Sequence, residues 1–325
     1  MRLIDWVDEI GRTPVVPLVG YPGLFLTDVS TEEALKDSQV HARTVEATAE
    51  RFHPDAVFTI MDLTVEAEAV GLPIVWSEKA PPSLTTHPVK ETKDLKELRK
   101  PDPEKDGRMP VYLDTVTALK DGLKIPLGAY VIGPFTLAGE LAGAEKVAMA
   151  TITDTGFVEG LLEFTTEVIK EYASALGKRG ANIIAILEPT SVVLSPGFFD
   201  KFSLPWVSAV AGAIRKSWAF PVLHICGNTA HLIPGMAKAN IDGLSLDSPV
   251  DIPAQIAKVP PDIVLIGNVD PVGTMLEGTV DAVRDEATRL VAGVKNYKNF
   301  ILSSGCDLAL DTPPENIDAL IEVVR

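Results

Sequence analysis

Short apolar runs punctuate this chain at 14–19, 56–60, 127–132, 182–187, 221–225, 243–246, 263–266 and 300–303. Runs this short, rich in Val, Ile and Leu and apolar on both faces, read as strands of a buried parallel sheet. Most are followed by longer stretches at helical spacing, at 31–52, 65–70, 156–176, 196–218 and 314–324. Thr31, Glu32 and Glu33 give the first of these an N-terminal cap signal. Eight strands alternating with helices predict a (β/α)8 TIM barrel, one catalytic domain spanning 1–325. A doubly wound sheet is the alternative, but no Gly-x-Gly-x-x-Gly fingerprint follows the first strand.

One stretch breaks the rhythm. Residues 72–110 hold Pro81, Pro82, Pro101 and Pro103 among mixed charges. A long irregular segment inside a compact fold is usually functional or mobile. We read it as an excursion over the barrel mouth carrying one short hairpin.

In such a barrel the chemistry sits at the C-terminal ends of the strands. Reading each end gives Asp62, Glu188, His224, Cys226, Asp247, Asn268, Asp270 and Cys306. His224 and Cys226 lie two residues apart on one strand, so both face the same side. Cys306, the other of the chain's 2 cysteines, follows the last strand beside Gly305. Two thiolates and an imidazole suit Zn2+, and three ligands leave one place open, as in catalytic sites. The plain alternatives are a satisfied core histidine with two inert cysteines, or one disulfide.

Composition narrows the setting. The N-terminus has no basic segment followed by an apolar one, and no run reaches eighteen apolar residues. A cytoplasmic location is expected, where thiols stay reduced and serve metals or catalysis. A net charge of −16 argues against nucleic acid and disfavours an anionic membrane surface as partner. An open zinc position can activate water or lower the pKa of a bound thiol, and residue types alone do not choose. Asp247 reads as a fourth ligand, an acceptor for His224, or a helix N-cap. Asp62 and Glu188 read as caps or as groups facing a ligand.

Taken together, the motifs around His224, Cys226, Gly227 and Asn228, around Gly243 to Asp247, around Gly267 to Pro271, and around Gly305, Cys306 and Asp307 before Thr312 and Pro313 resemble the uroporphyrinogen decarboxylase superfamily. They are most similar to its zinc-dependent branch, the methylcobalamin:coenzyme M and related corrinoid methyltransferases. Gly133 to Ala138 and Glu188 to Pro196 fit the same pattern, and the resemblance runs from about Pro14 to the C-terminus. It implies zinc on His224, Cys226 and Cys306, with Asp247 where a longer Glu is expected as fourth ligand.

The resemblance also implies methyl transfer between a corrinoid (methylcobalamin), carried on a separate corrinoid protein, and a zinc-activated thiol such as coenzyme M. Asp62 and Glu188 would then face the corrinoid or the acceptor, and Asn268 and Asp270 would help bind the cofactor. The corrinoid comes from outside, since no Asp-x-His-x-x-Gly cobalt-ligand motif occurs; around His231, Thr229 and Pro234 stand in the required places. Three alternatives stay open. One is a methyltransferase taking methyl from a donor such as an aryl methyl ether. Another is a non-catalytic partner of a corrinoid protein. The third is a decarboxylase, which Asp62 would suit; but decarboxylases bind their tetrapyrrole with an arginine-rich N-terminal loop, and residues 18–24 contain no arginine.

Overall fold

The computed structural model describes residues 2–77 and 80–325. Its strands are β1 (Val57–Phe58), β2 (Ile74–Val75), β3 (Ser83–Leu84), β4 (Leu127–Ile132), β5 (Ile183–Leu187), β6 (Phe220–Ile225), β7 (Gly243–Leu246), β8 (Val264–Val269) and β9 (Phe300–Ser304). Seven of them form one parallel sheet in the order β1-β4-β5-β6-β7-β8-β9, and β2 pairs antiparallel with β3. Right-handed helical crossovers between parallel neighbours wrap such a sheet into a TIM barrel.

The eighth stave is the predicted strand 14–19, and it is irregular. Val15 bridges Leu302 in parallel, Val16 N–H donates to Leu302 O (2.8 Å), and Leu302 N–H donates to Pro14 O (2.9 Å). On its other edge Asp55 N–H donates to Val15 O (3.0 Å). Pro14 and Pro17 have no N–H, so a full ladder cannot form. Serine side chains of β9 complete the closure: Ser303 Oγ donates to Val16 O (2.7 Å), and Ser304 Oγ accepts from Leu18 N–H (3.1 Å).

Alternation sorts each strand between two cores. Ile183, Ala185 and Leu187 of β5 pack inside the barrel, while Ile184 and Ile186 face the helices. On β6, Val222 packs inside and Leu223 and Ile225 outside, which turns His224 inward. The helix Leu3–Ile10 buries Leu3, Ile4 and Val7 against the inner core and plugs the N-terminal end of the barrel. Each such fully buried aliphatic side chain contributes about 1.5–3 kcal/mol.

Several predicted elements change in detail. The helix expected over 31–52 is two, Thr31–Lys36 and Ser38–Phe52, because Asp37 turns extended and its Oδ1 caps Gln39 N–H (2.8 Å) and Val40 N–H (3.1 Å). The stretch 196–218 is also split, into Pro196–Phe202 and Leu204–Lys216, with Pro205 in the first turn of the second. The helices Leu3–Ile10, Met109–Leu119, Pro134–Ala142, Ala144–Thr153 and Val280–Val294 were not among the expected ones. The excursion holds the expected hairpin, β2 against β3, and a 3-10 turn at Thr92–Glu97. Its residues Ala80, Pro81 and Pro82 line the cleft at the mouth.

Candidate metal centre

β6 and β9 are not neighbours, yet their ends meet. His224 Nε2 lies 3.1 Å from Cys226 Sγ and 3.7 Å from Cys306 Sγ, and the two sulphurs are 3.7 Å apart. Bonds of about 2.3 Å to sulphur and 2.0–2.1 Å to nitrogen at tetrahedral angles set donors about 3.5–3.8 Å apart. Two of the three edges fit that figure, and the third is a direct hydrogen-bond contact. Among the described residues this is the only group of three or more potential ligands so gathered. The donor set therefore fits a zinc ion with one coordination place left over.

Local structure explains the meeting. Gly227 has φ +82°, a left-handed turn that ends β6 and that glycine adopts without strain. Asp247, just past β7, braces both loops. Its Oδ2 accepts from Gly227 N–H (2.7 Å) and its Oδ1 from Ser248 N–H (2.7 Å). Gly305 passes so close that an added Cβ would stand 2.7 Å from Ser248 N and 3.1 Å from Asp247 Oδ1. No hydrogen bond joins Asp247 to His224; the partner of the imidazole is Ser245, whose Oγ lies 2.9 Å from Nδ1. β6 and β7 pair His224 directly with Ser245. With Nδ1 engaged there, Nε2 is the ring nitrogen turned toward the two sulphurs.

The cluster is electrostatically coupled. Burial pulls the His224 imidazole down, but hydrogen bonding and charge from Cys306, with Asp247 behind, give a net upward shift. The hydrogen bond with Cys306 holds Cys226 below the ordinary thiol range, against burial. Cys306 is pushed up by Cys226 first and then by burial. Both thiols must be present as thiolates to hold a metal, so metal binding here releases protons.

The other predicted residues are placed by the fold as follows. Asp62 is buried, and Arg108 from the far end of the excursion pairs with its Oδ2. Its Oδ1 accepts from Thr64 N–H (2.8 Å) and Thr64 Oγ1 (2.7 Å), the cap expected before Val65. Arg108 also reaches Glu68 (2.6 Å) and Thr64 Oγ1 (2.8 Å). Glu188 caps the helix that follows the neighbouring strand β4. Its two oxygens accept from Phe135 N–H (2.8 Å) and Thr136 N–H (2.9 Å), at the start of Pro134–Ala142. Burial nonetheless pushes its carboxyl up to about 7, against those amides. Asn268 donates to Asp247 O (2.9 Å) and Val250 O (2.6 Å), and Asp270 accepts from Val272 and Gly273 N–H (2.9 and 3.0 Å). Both shape the loops around the mouth with their own side chains.

Sequence reasoning missed four residues of the site. Ser245 carried a signal, since it sits at the inward register two before Asp247. Asp307 directly follows Cys306; its Oδ1 is buried without a hydrogen-bond partner. Burial first, then the charge of Cys306, pushes its carboxyl well up, with the Gly20 and Leu308 amides opposing. Tyr130 lines the barrel interior beside His224 and Ser245. Arg108 carried no local signal, being brought in from 46 residues beyond Asp62.

Behind this layer Glu66 is buried and accepts from Ile132 N–H (2.8 Å). Burial pushes its carboxyl from 4.5 up to about 8; the Ile132 amide and Arg108 oppose the shift and Asp62 adds to it. The folded protein then keeps a proton at Glu66 that the unfolded chain has released. That contribution is full below the unfolded value and is lost as pH rises through the folded one. Urea denaturation should show stability falling by up to a few kcal/mol between about pH 5 and pH 8, and Glu66→Gln should remove that part of the slope.

The fold and this centre define a TIM-barrel enzyme, and comparison identifies the family. Residues 7–325 match uroporphyrinogen decarboxylase (URO-D), and the chain belongs to that family. Within it, the chain is 29% identical to the methylcobamide:CoM methyltransferase MtbA of Methanosarcina acetivorans over 95% of this chain and 94% of that protein. It is 30% identical to the MtbA of Methanosarcina mazei, over 90% and 86%. A solved methyltransferase from Methanosarcina mazei superposes with a TM-score of 0.90 at 28% identity, covering 99% of this chain and 96% of that one. Proteins named uroporphyrinogen decarboxylase also match, at 26% to 28% identity. No helix among the described residues is long and apolar enough to cross a membrane.

Proposed function

We propose that this chain is a zinc-dependent methyltransferase that moves a methyl group between a corrinoid, carried on a separate protein, and a small thiol held at the barrel mouth. The observation that carries this reading is the closing of His224, Cys226 and Cys306 to within 3.7 Å of one another at the C-terminal end of the barrel. Zinc bound there would supply Lewis acidity at its open place, lowering the pKa of a coordinated thiol so that it is a nucleophile at neutral pH.

The chain's own residues do the rest. Ser245 holds the His224 ring in orientation, Asp247 fixes the turn that carries Cys226, and Glu188 and the Asp62–Arg108 pair hold the surrounding loops. A site held this rigidly aligns a thiolate with an incoming methyl group without further ordering at the moment of reaction. A cleft of about 310 Å3, lined by Tyr21, Met61 and Asp307, the residue after Cys306, would receive the second substrate.

Decarboxylation of a carboxylate-rich tetrapyrrole is the weaker reading. Among the described residues the cleft is lined by no Lys or Arg, and Arg108 is committed to Asp62 and Glu68. The test is spectroscopic loss of methylcobalamin with a panel of small thiols. Turnover dependent on one of them supports the proposal. No turnover with any thiol, together with methylation of Co(I) by an ether donor, would move the zinc from acceptor to donor activation.

A further inference from the structure

The barrel interior is not completely filled. An apolar void of about 30 Å3 lies within it, closed at one end by Leu3 and Trp6 of the plugging helix. His224 forms part of its wall, so the void shares a side chain with the metal centre. Layers of bulky branched side chains usually fill a barrel of this kind. Here the inward position of β5 between Ile183 and Leu187 is Ala185, in register with Tyr130 of β4 and Val222 of β6. Its single methyl leaves that layer short, and the void is the space left over. An apolar hole of this size stays dry and has room for one methyl-sized group. Met61 lines both the void and the cleft at the mouth, so the two spaces meet at its side chain.

Building on the thiol-acceptor reading, we infer that this void is the subsite for the acceptor's carbon tail, and that the acceptor is a thiol with a short alkyl end. The methyl group arrives from the mouth, because a corrinoid carried on a separate protein is far too large for the barrel interior. The thiol turns its sulphur to that side and has the space beside His224 for its tail. A terminal methyl placed there leaves water and fills a hole that the fold has left empty, which tightens binding about fourfold. Ala185 is the specificity-determining residue, since its size sets how much tail the barrel accepts. Met61 stands where the tail passes from cleft to interior.

The test is calorimetric binding of methanethiol, ethanethiol, 1-propanethiol and 1-butanethiol to the full-length zinc-loaded protein. Ethanethiol should bind about fourfold more tightly than methanethiol, and the longer thiols should gain nothing further once the void is full. Ala185→Leu fills the void with its own side chain, and should abolish the ethanethiol gain while zinc content stays at the wild-type level. If Ala185→Leu does not fold, the smaller change Ala185→Val should reduce the same gain. An undiminished gain in the folded variant places the tail elsewhere and overturns the inference. Equal binding of methanethiol and ethanethiol, or a gain that continues with every added carbon, also overturns it and leaves the proposed methyltransferase standing. Binding of none of the four thiols overturns both.

Discussion

Replacing Cys306 by alanine lowers methyl transfer by at least about a thousandfold, since a Lewis-acid contribution of several kcal/mol goes with the ligand. The fold should survive, because Cys306 is only half-buried and stands past the end of β9, not within its ladder. Circular dichroism and Tm close to wild type, with metal content reduced, separate loss of the centre from loss of the protein. The same pair of measurements separates an enzyme from a non-catalytic partner of a corrinoid protein. A variant that folds, loses its metal and still transfers methyl would remove the cluster from the mechanism.

The second large effect is on stability. Arg108→Ala leaves the Asp62 carboxylate buried, where Thr64 and Tyr112 remain beside it but no cation does. Removing one partner of a buried pair costs about 3–5 kcal/mol, because the other charge stays out of water unpaired. Arg108 also stacks over Trp76 next to the hairpin, 4.8 Å from the ring centroid, so the excursion should loosen as well. Denaturant midpoints measure the first effect, and protease cleavage between residues 72 and 110 measures the second. The double variant Asp62→Leu with Arg108→Leu should recover much of the loss, since it leaves no charge behind.

These two residues mark the boundary of what was readable in the chain. His224, Cys226 and Cys306 were legible because strand alternation and strand ends follow from local apolar pattern, and a barrel brings strand ends to one face. Seven of the eight expected strands appear within a few residues of their expected ends, and the eighth is there as a proline-interrupted stave. The helix Val280–Val294 is legible too, from apolar residues at 280, 283, 287, 290 and 294.

What local pattern could not give is which partner a polar side chain finds across the barrel. Glu188, read as a cap or as a group facing a ligand, caps the neighbouring helix at Phe135 and Thr136. Asp247, read as a fourth ligand, an acceptor for His224 or a cap, ties down Gly227, while Ser245 takes the imidazole. Asn268 and Asp270 hold loop backbone, contacts that their role toward a cofactor neither requires nor excludes and that local pattern did not show. In each case the deciding contact joins residues far apart in sequence, and burial demands that the polar atoms be satisfied whoever is nearest.

The central claim is that a metal held by His224, Cys226 and Cys306 carries methyl transfer. The measurement that tests it most directly is the metal content of the purified protein, read beside its methylcobalamin turnover. One three-residue site predicts about one zinc per chain, with turnover lost on chelation and restored by zinc. Protein free of metal that keeps its fold and transfers methyl at the full rate would contradict the account.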